Sequence, residues 1–184
     1  MPNRLLHRLI ERLAKIFKGP SYKIDSNLPI LALLGIGLRR SISLLRSFFR
    51  LSIVSLNPQL VFLESNVELR NLRMIKFGKG VTLRKGVIID GLSTNGVTID
   101  NSVSIGQYSI IEATGVISNI GVGCRIGENS GIGAFSFIGA AGGVWIGKNV
   151  IMGQRVSFHS ENHVFNRVDM PIRMQGVTRN GITI

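Results

Sequence analysis

An aliphatic residue recurs at every sixth position along the stretch from Ile120 to Phe158. The series runs Ile120, Ile126, Ile132 and Ile138, then, after a two-residue slip, Ile146, Met152 and Phe158. Glycine usually follows, and a small residue often stands four positions on, as at Cys124, Ser130, Ser136, Val150 and Val156. A helix repeats every 3.6 residues and an alternating strand every two, so neither accounts for a beat of six. Six-residue self-similarity marks a hexapeptide parallel β-helix. Each unit there is a short strand plus a corner, and three units close a triangular coil of about eighteen residues. The aliphatic side chain points inward onto its counterpart one coil away, and the glycine beside it is expected to turn the chain through positive φ. One coil alone buries no apolar face, so stability belongs to the stack.

The beat begins earlier, without its glycines. Leu63, Leu69, Ile75, Val81 and Val87 fall six apart. Ser93 misses the series, inside a stretch from Gly91 to Gly96 that reads as a corner or small insertion. Ile99, Ile105, Ile111 and Ile117 resume it, and a three-residue shift leads into Ile120. Leu63 to Phe158 thus spans roughly five to six coils, above the three or so repeats a stable stack needs. From His159 to Asn180 the hexads give way to a long irregular loop, the kind of segment that carries function on a rigid scaffold. Ile182 to Ile184 reads as a strand resuming. The expected fold class is all-β, a parallel β-helix over residues 57–184 with an extended loop at about 159–180, preceded by a helical arm over residues 1–56.

Charge separates the arm from the body. Of the net +12 on 184 residues, residues 1–56 carry ten Lys/Arg against Glu11 and Asp25, leaving +8 there and +4 on the rest. Residues 3–18 read as an amphipathic helix, with Leu5, Leu6, Leu9, Ile10, Leu13, Ile16 and Phe17 on one face and mostly basic residues on the other, ended by Gly19-Pro20. The apolar run 28–38 is too short to span a bilayer, and Arg39, Arg40, Arg46 and Arg50 interrupt the segment after it. Residues 28–55 are expected to form a second helical segment, docked on the protein or on lipid and closed by Asn57-Pro58. A basic arm on a nearly balanced body points to an anionic surface. The body lacks the basic-aromatic interleaving of a nucleic-acid reader, so a membrane surface is favoured over nucleic acid. The first helix suits a membrane interface and packing on the body equally well. No signal-peptide pattern is present. The single cysteine, Cys124, excludes an intramolecular disulfide, fits a reducing compartment, and sits in a hexad as a buried small residue.

Chemistry concentrates after Phe158. Of three histidines, His7 lies on the arm, while His159 and His163 lie in the body. Zinc takes three or four protein ligands, so two histidines leave a metal site unfilled and no metal is expected. The hexads of 99–158, followed by Ser160-Glu-Asn-His-Val-Phe165 and Asp169-Met-Pro-Ile-Arg-Met-Gln-Gly176, resemble the hexapeptide-repeat acyltransferases that O-acetylate sugars. These include maltose and galactoside acetyltransferases and the enzymes that acetylate capsule, exopolysaccharide and lipopolysaccharide sugars. The resemblance covers about residues 75–184, and the helical arm is more similar to the polysaccharide-modifying members. It implies a left-handed coil, acetyl-CoA as acyl donor, and a sugar or lipid-linked oligosaccharide as acceptor. It also implies a homotrimer with sites between subunits, located in the cytoplasm and peripheral to the inner membrane face.

The same resemblance makes His163 the catalytic base. A sugar hydroxyl is a poor nucleophile, and a histidine with pKa near 6.5 can accept its proton and return it to the thiolate leaving group. Asn162, His159, Asp169, Arg173 and Gln175 are candidates for orienting that histidine, binding sugar hydroxyls or holding the loop. Trp145 is expected to pack at a coil corner or subunit face. Members of the family continue past the position of Ile184 with further glycine-rich hexads that bind much of the coenzyme A. This chain therefore resembles a C-terminally truncated member, and no coenzyme A residue is assigned. The alternative function is a non-catalytic β-helix that binds a membrane or a partner.

Overall fold

The computed structural model describes residues 8–12, 14, 15, 20–25, 27–51 and 60–184. From Phe62 onward the strands arrive in threes, each circuit supplying one strand to each of three parallel sheets. The first circuit holds β1 (Phe62–Leu63), β2 (Glu68–Arg70) and β3 (Ile75–Phe77). The second holds β4 (Thr82–Leu83), β5 (Ile88–Asp90) and β6 (Val97–Ile99). The third holds β7 (Ser104–Ile105), β8 (Ile110–Glu112) and β9 (Cys124–Ile126). The fourth holds β10 (Gly131–Ile132), β11 (Phe137–Gly139) and β12 (Val144–Ile146). A fifth begins with a bridge from Ile151 to Gly131 and continues through β13 (Ser157–His159). It ends at β16 (Ile182–Thr183), which pairs with β12 as the strand expected to resume there. This layout of parallel sheets is compatible with a parallel β-helix.

Two inward columns fill each sheet. Leu63, Leu83, Ile105 and Ile132 stack in register in the first sheet, Leu69, Ile89, Ile111 and Ile138 in the second, and Phe77, Ile99, Ile126 and Ile146 in the third. A smaller column runs two residues earlier. Cys124 stands there between Val97 and Val144, buried as expected, and burial pushes its thiol pKa up to about 12.

The register corrects the phase read from sequence. The circuits take 20, 22, 27 and 20 residues along the first sheet (Phe62 to Thr82, Ser104, Gly131 and Ile151), not eighteen. From the first sheet to the second, and from the third to the first, the inward residue advances by six each time. From the second to the third it advances by 8 (Leu69 to Phe77), 10 (Ile89 to Ile99), 15 (Ile111 to Ile126) and 8 (Ile138 to Ile146). One corner absorbs every extra residue. Leu63 therefore stacks on Leu83 rather than Val81, because two additional residues beyond Leu69 carry the beat of six from one buried column to the other. Ile117 keeps the beat by coincidence: it is 93 % exposed within an insertion at that variable corner, and Ile126 is the inward successor of Ile111.

The glycines behind the aliphatic residues also act differently from expectation. Positive φ falls two positions after them, on Asn129, Phe135, Asn149 and Arg155 among others. Gly127 and Gly133 are required instead by crowding, since a Cβ there would strike the backbone of Gly147 and Gly153 in the next circuit.

Helix α1 (Ile30–Leu51) falls within the expected 28–55 segment and lies over the first circuit. Leu83 O and Val87 O accept bonds from Glu64 N and Glu68 N of the circuit before. The equivalent oxygens of the first circuit, Leu63 O and Val67 O, accept instead from Arg46 (2.8 Å) and Arg50 (2.6 Å). Arg40 lies 4.5 Å over the Phe62 ring and bonds Thr82 Oγ1. Three guanidinium groups thus cover an edge that would otherwise offer bare carbonyls. Residues 8–12, 14 and 15 are helical, with Lys15 paired to Glu11 at 2.8 Å. The rest of the expected 3–18 helix and the boundary at Asn57-Pro58 lie outside the described residues.

Candidate active site

The chain leaves the stack at the variable corner after Ser160 and returns at Asn180, but not as an irregular loop. β14 (Glu161–His163) pairs antiparallel with β15 (Val177–Arg179), with Glu161 opposite Arg179, Asn162 opposite Thr178 and His163 opposite Val177. The expected irregular loop is thus a hairpin, which needs only a turn between its strands, and residues 164–176 supply it. Val164 N donates to Gly176 O at 3.1 Å, and Gly176 takes φ +84° to close the strands.

The hairpin is fixed at its base. Ser160 is buried; its Oγ donates to Gly139 O (2.7 Å) and accepts from Gly142 N (2.8 Å). Asn180 N donates to Ser160 O (3.0 Å), closing the neck. Arg179 Nε donates to Glu161 Oε2 (2.7 Å), Nη1 to Asn119 Oδ1 and Ile120 O (2.9 Å each), and Nη2 to Asn119 O (2.6 Å). One guanidinium therefore ties both hairpin strands to the insertion of the third circuit, which projects from the same corner. The sequence reading passed over Arg179 and Glu161. A single basic residue near the end of a segment carries no periodic signal, and apart from Glu161 its acceptors lie some 60 positions away.

The candidate residues divide by what their side chains already do. His163 is exposed on β14, and its ring has no hydrogen-bond partner among the described residues. Asn162 beside it is exposed, and its main-chain oxygen accepts from Thr178 Oγ1 at 3.4 Å. His159 lies on β13 within the stack; its Nε2 is 2.8 Å from Ser157 Oγ, and its ring sits 5.2 Å from that of Phe137.

Gln175 closes the turn from within. Its Oε1 accepts from Arg167 N, and its Nε2 donates to Arg167 O and Met170 O at 2.7 and 2.8 Å. Asp169 is chelated by Arg167, and that hydrogen bonding holds its carboxyl below the ordinary carboxylate value. Arg173 is exposed on the 3-10 turn Ile172–Met174. Trp145 is the middle residue of β12 rather than a corner residue; its side chain is exposed on the outer face of the third sheet, the ring against Gly143 and Gly181.

The structure therefore brings Asn162 and His163 together on one strand, and Asp169 and Gln175 together in the turn. His159 stays behind on the stack. Among the described residues no cluster of three or more His, Cys, Asp or Glu could hold a metal ion. No protein-family model matches the chain, and no curated protein matches it. The resemblance to sugar O-acetyltransferases rests on the chain's own residues.

Proposed function

We propose that this chain is a left-handed β-helix O-acetyltransferase that moves an acetyl group from acetyl-CoA to a sugar hydroxyl of a surface polysaccharide or its lipid-linked precursor. The observation that carries the reading is the placement of Asn162-His163 on a paired hairpin at the variable corner, the histidine ring exposed and its nitrogens unengaged among the described residues. In the reaction a ring nitrogen of His163 takes the hydroxyl proton while the sugar oxygen attacks the thioester carbonyl carbon. The tetrahedral intermediate collapses, the C–S bond breaks, and the proton passes to the departing coenzyme A thiolate. No covalent enzyme intermediate is needed.

A base with no orienting partner among the described residues fits a site completed by a neighbouring subunit, so we assign the active form as a homotrimer. Asn162 and Arg173, both exposed, are free to meet sugar hydroxyls. Gln175 and Asp169 hold the turn that presents them. His159, engaged with Ser157, keeps the corner rather than the reaction. Acetyl-CoA as donor places the reaction in the cytoplasm.

Two measurements test this. Calorimetric titration with coenzyme A separates an acyltransferase from a non-catalytic β-helix, and absence of binding ends the reading. His163→Ala is expected to cut acetyl transfer roughly 10²–10⁴-fold, with the melting temperature unchanged and His159→Ala losing far less. A His163→Ala protein that keeps most of its rate removes His163 as the base.

A further inference from the structure

Helix α1 is inside out for a helix on a soluble body. Its arginines Arg40, Arg46 and Arg50 are turned onto the first circuit, while Leu31, Leu34, Leu38, Ile42, Leu45 and Phe49 form an outward stripe at spacings of three and four. All six are exposed, Leu31 at 79 %, Leu38 at 63 % and Phe49 at 71 %. An apolar face this long marks a contact surface. We propose that this face of α1 lies flat in the surface of an anionic lipid bilayer.

Charge selects that occupant over a second copy of the chain. Residues 1–56 carry +8, and Arg8, Arg12, Lys23 and Arg39 are exposed. Two such arms brought face to face repel, whereas an anionic leaflet attracts each basic residue near its surface. The geometry selects a flat posture. No helix among the described residues is long and apolar enough to cross a membrane, and three of the four arginines that interrupt α1 are bonded to the β-sheet body. In an ordinary interfacial helix the polar face looks to water. Here it looks to the protein, so the body stands directly on the helix. The inference is independent of the acetyl-transfer reading.

The test uses the full chain and vesicles, and reads no enzyme activity. Co-sedimentation is measured with phosphatidylglycerol/phosphatidylcholine vesicles and with phosphatidylcholine alone, at low and high salt. Strong binding to the anionic vesicles, weakened by salt, is expected. The double variant Leu38→Asp/Leu45→Asp should lose roughly tenfold in partitioning per leucine. Both positions are exposed, so its far-UV circular dichroism should match the parent. A second readout does not depend on loss of function: Leu45→Trp in a Trp145→Phe background should be quenched by brominated lipid. Failure of the parent to bind anionic vesicles, equal binding by the double variant, or an unquenched tryptophan each overturns the proposal. So does a lipid-free oligomer that the double variant takes apart, since the occupant is then a second copy.

Discussion

At the scale of single residues, the interior decides which reactive groups are available. Cys124 lies in the narrow inward column, and burial raises its thiol pKa to about 12. A raised pKa means the neutral thiol is the form the fold prefers, so the thiolate is absent through neutral and mildly alkaline pH. We expect Cys124 to resist iodoacetamide in the native protein up to about pH 9 and to react fully once guanidinium unfolds it. Fast alkylation of the folded chain would contradict its place in the stack. The corners strike a different balance. Tyr108 and Phe135 take left-handed φ values of +55° and +59°, unusual for bulky residues. Their rings stack at 5.5 Å, one circuit above the other, which offsets part of that cost.

At the scale of elements, the hairpin depends on Arg179 more than on its own pairing. Its guanidinium and Glu161 are mostly shielded from water, so their ion pair acts at reduced dielectric, and further bonds reach Asn119 and Ile120 at the surface. Arg179→Ala should cost the hairpin about 3 kcal/mol, leaving a shielded carboxylate without its partner. Hydrogen exchange should show β14 and β15 losing protection while the three parallel sheets keep theirs. Arg179→Lys should recover only part, because an ammonium lacks the planar fork that reaches all four acceptors. Unchanged protection in Arg179→Ala would show the hairpin to be self-supporting.

This element also marks the limit of what was legible in the sequence. A beat of six is local, so the stacked circuits, the buried Cys124 and the resumed strand at Ile182 could all be read, while the beat places the departure of the chain slightly early, at His159, which still belongs to β13. Arg179 joins residues far apart in the chain, and α1 reverses its polarity to cover carbonyl edges. Periodicity reveals neither the long-range bonds nor which face of α1 turns outward. The phase after Leu69 is hidden for a simpler reason: both inward columns are aliphatic, so Val81 and Leu83 look alike until register distinguishes them.

At the scale of the whole molecule, the circuits keep strict count at two corners and none at the third. Two residues inserted after the exposed Ile117 should therefore be absorbed, at about 0.5 kcal/mol or less and a melting shift of about 2 °C. The same dipeptide after Asn129 should be ruinous. That corner holds φ +59° and the bond from Asn129 Nδ2 to Asn149 Oδ1, and a shift there throws Ile132 out of line with Ile105. Thermal melts of the two insertions decide the point, and equal tolerance would mean the corners are interchangeable. A stack that advances by one strand spacing per circuit is also a gauge. At about 4.8 Å per step, four steps separate the circuit beneath α1 from the one that carries His159, a rise of about 19 Å. Adding or removing one whole circuit would raise or lower the hairpin by one graduation without turning it. The number of repeats thus sets how far above α1 the hairpin stands.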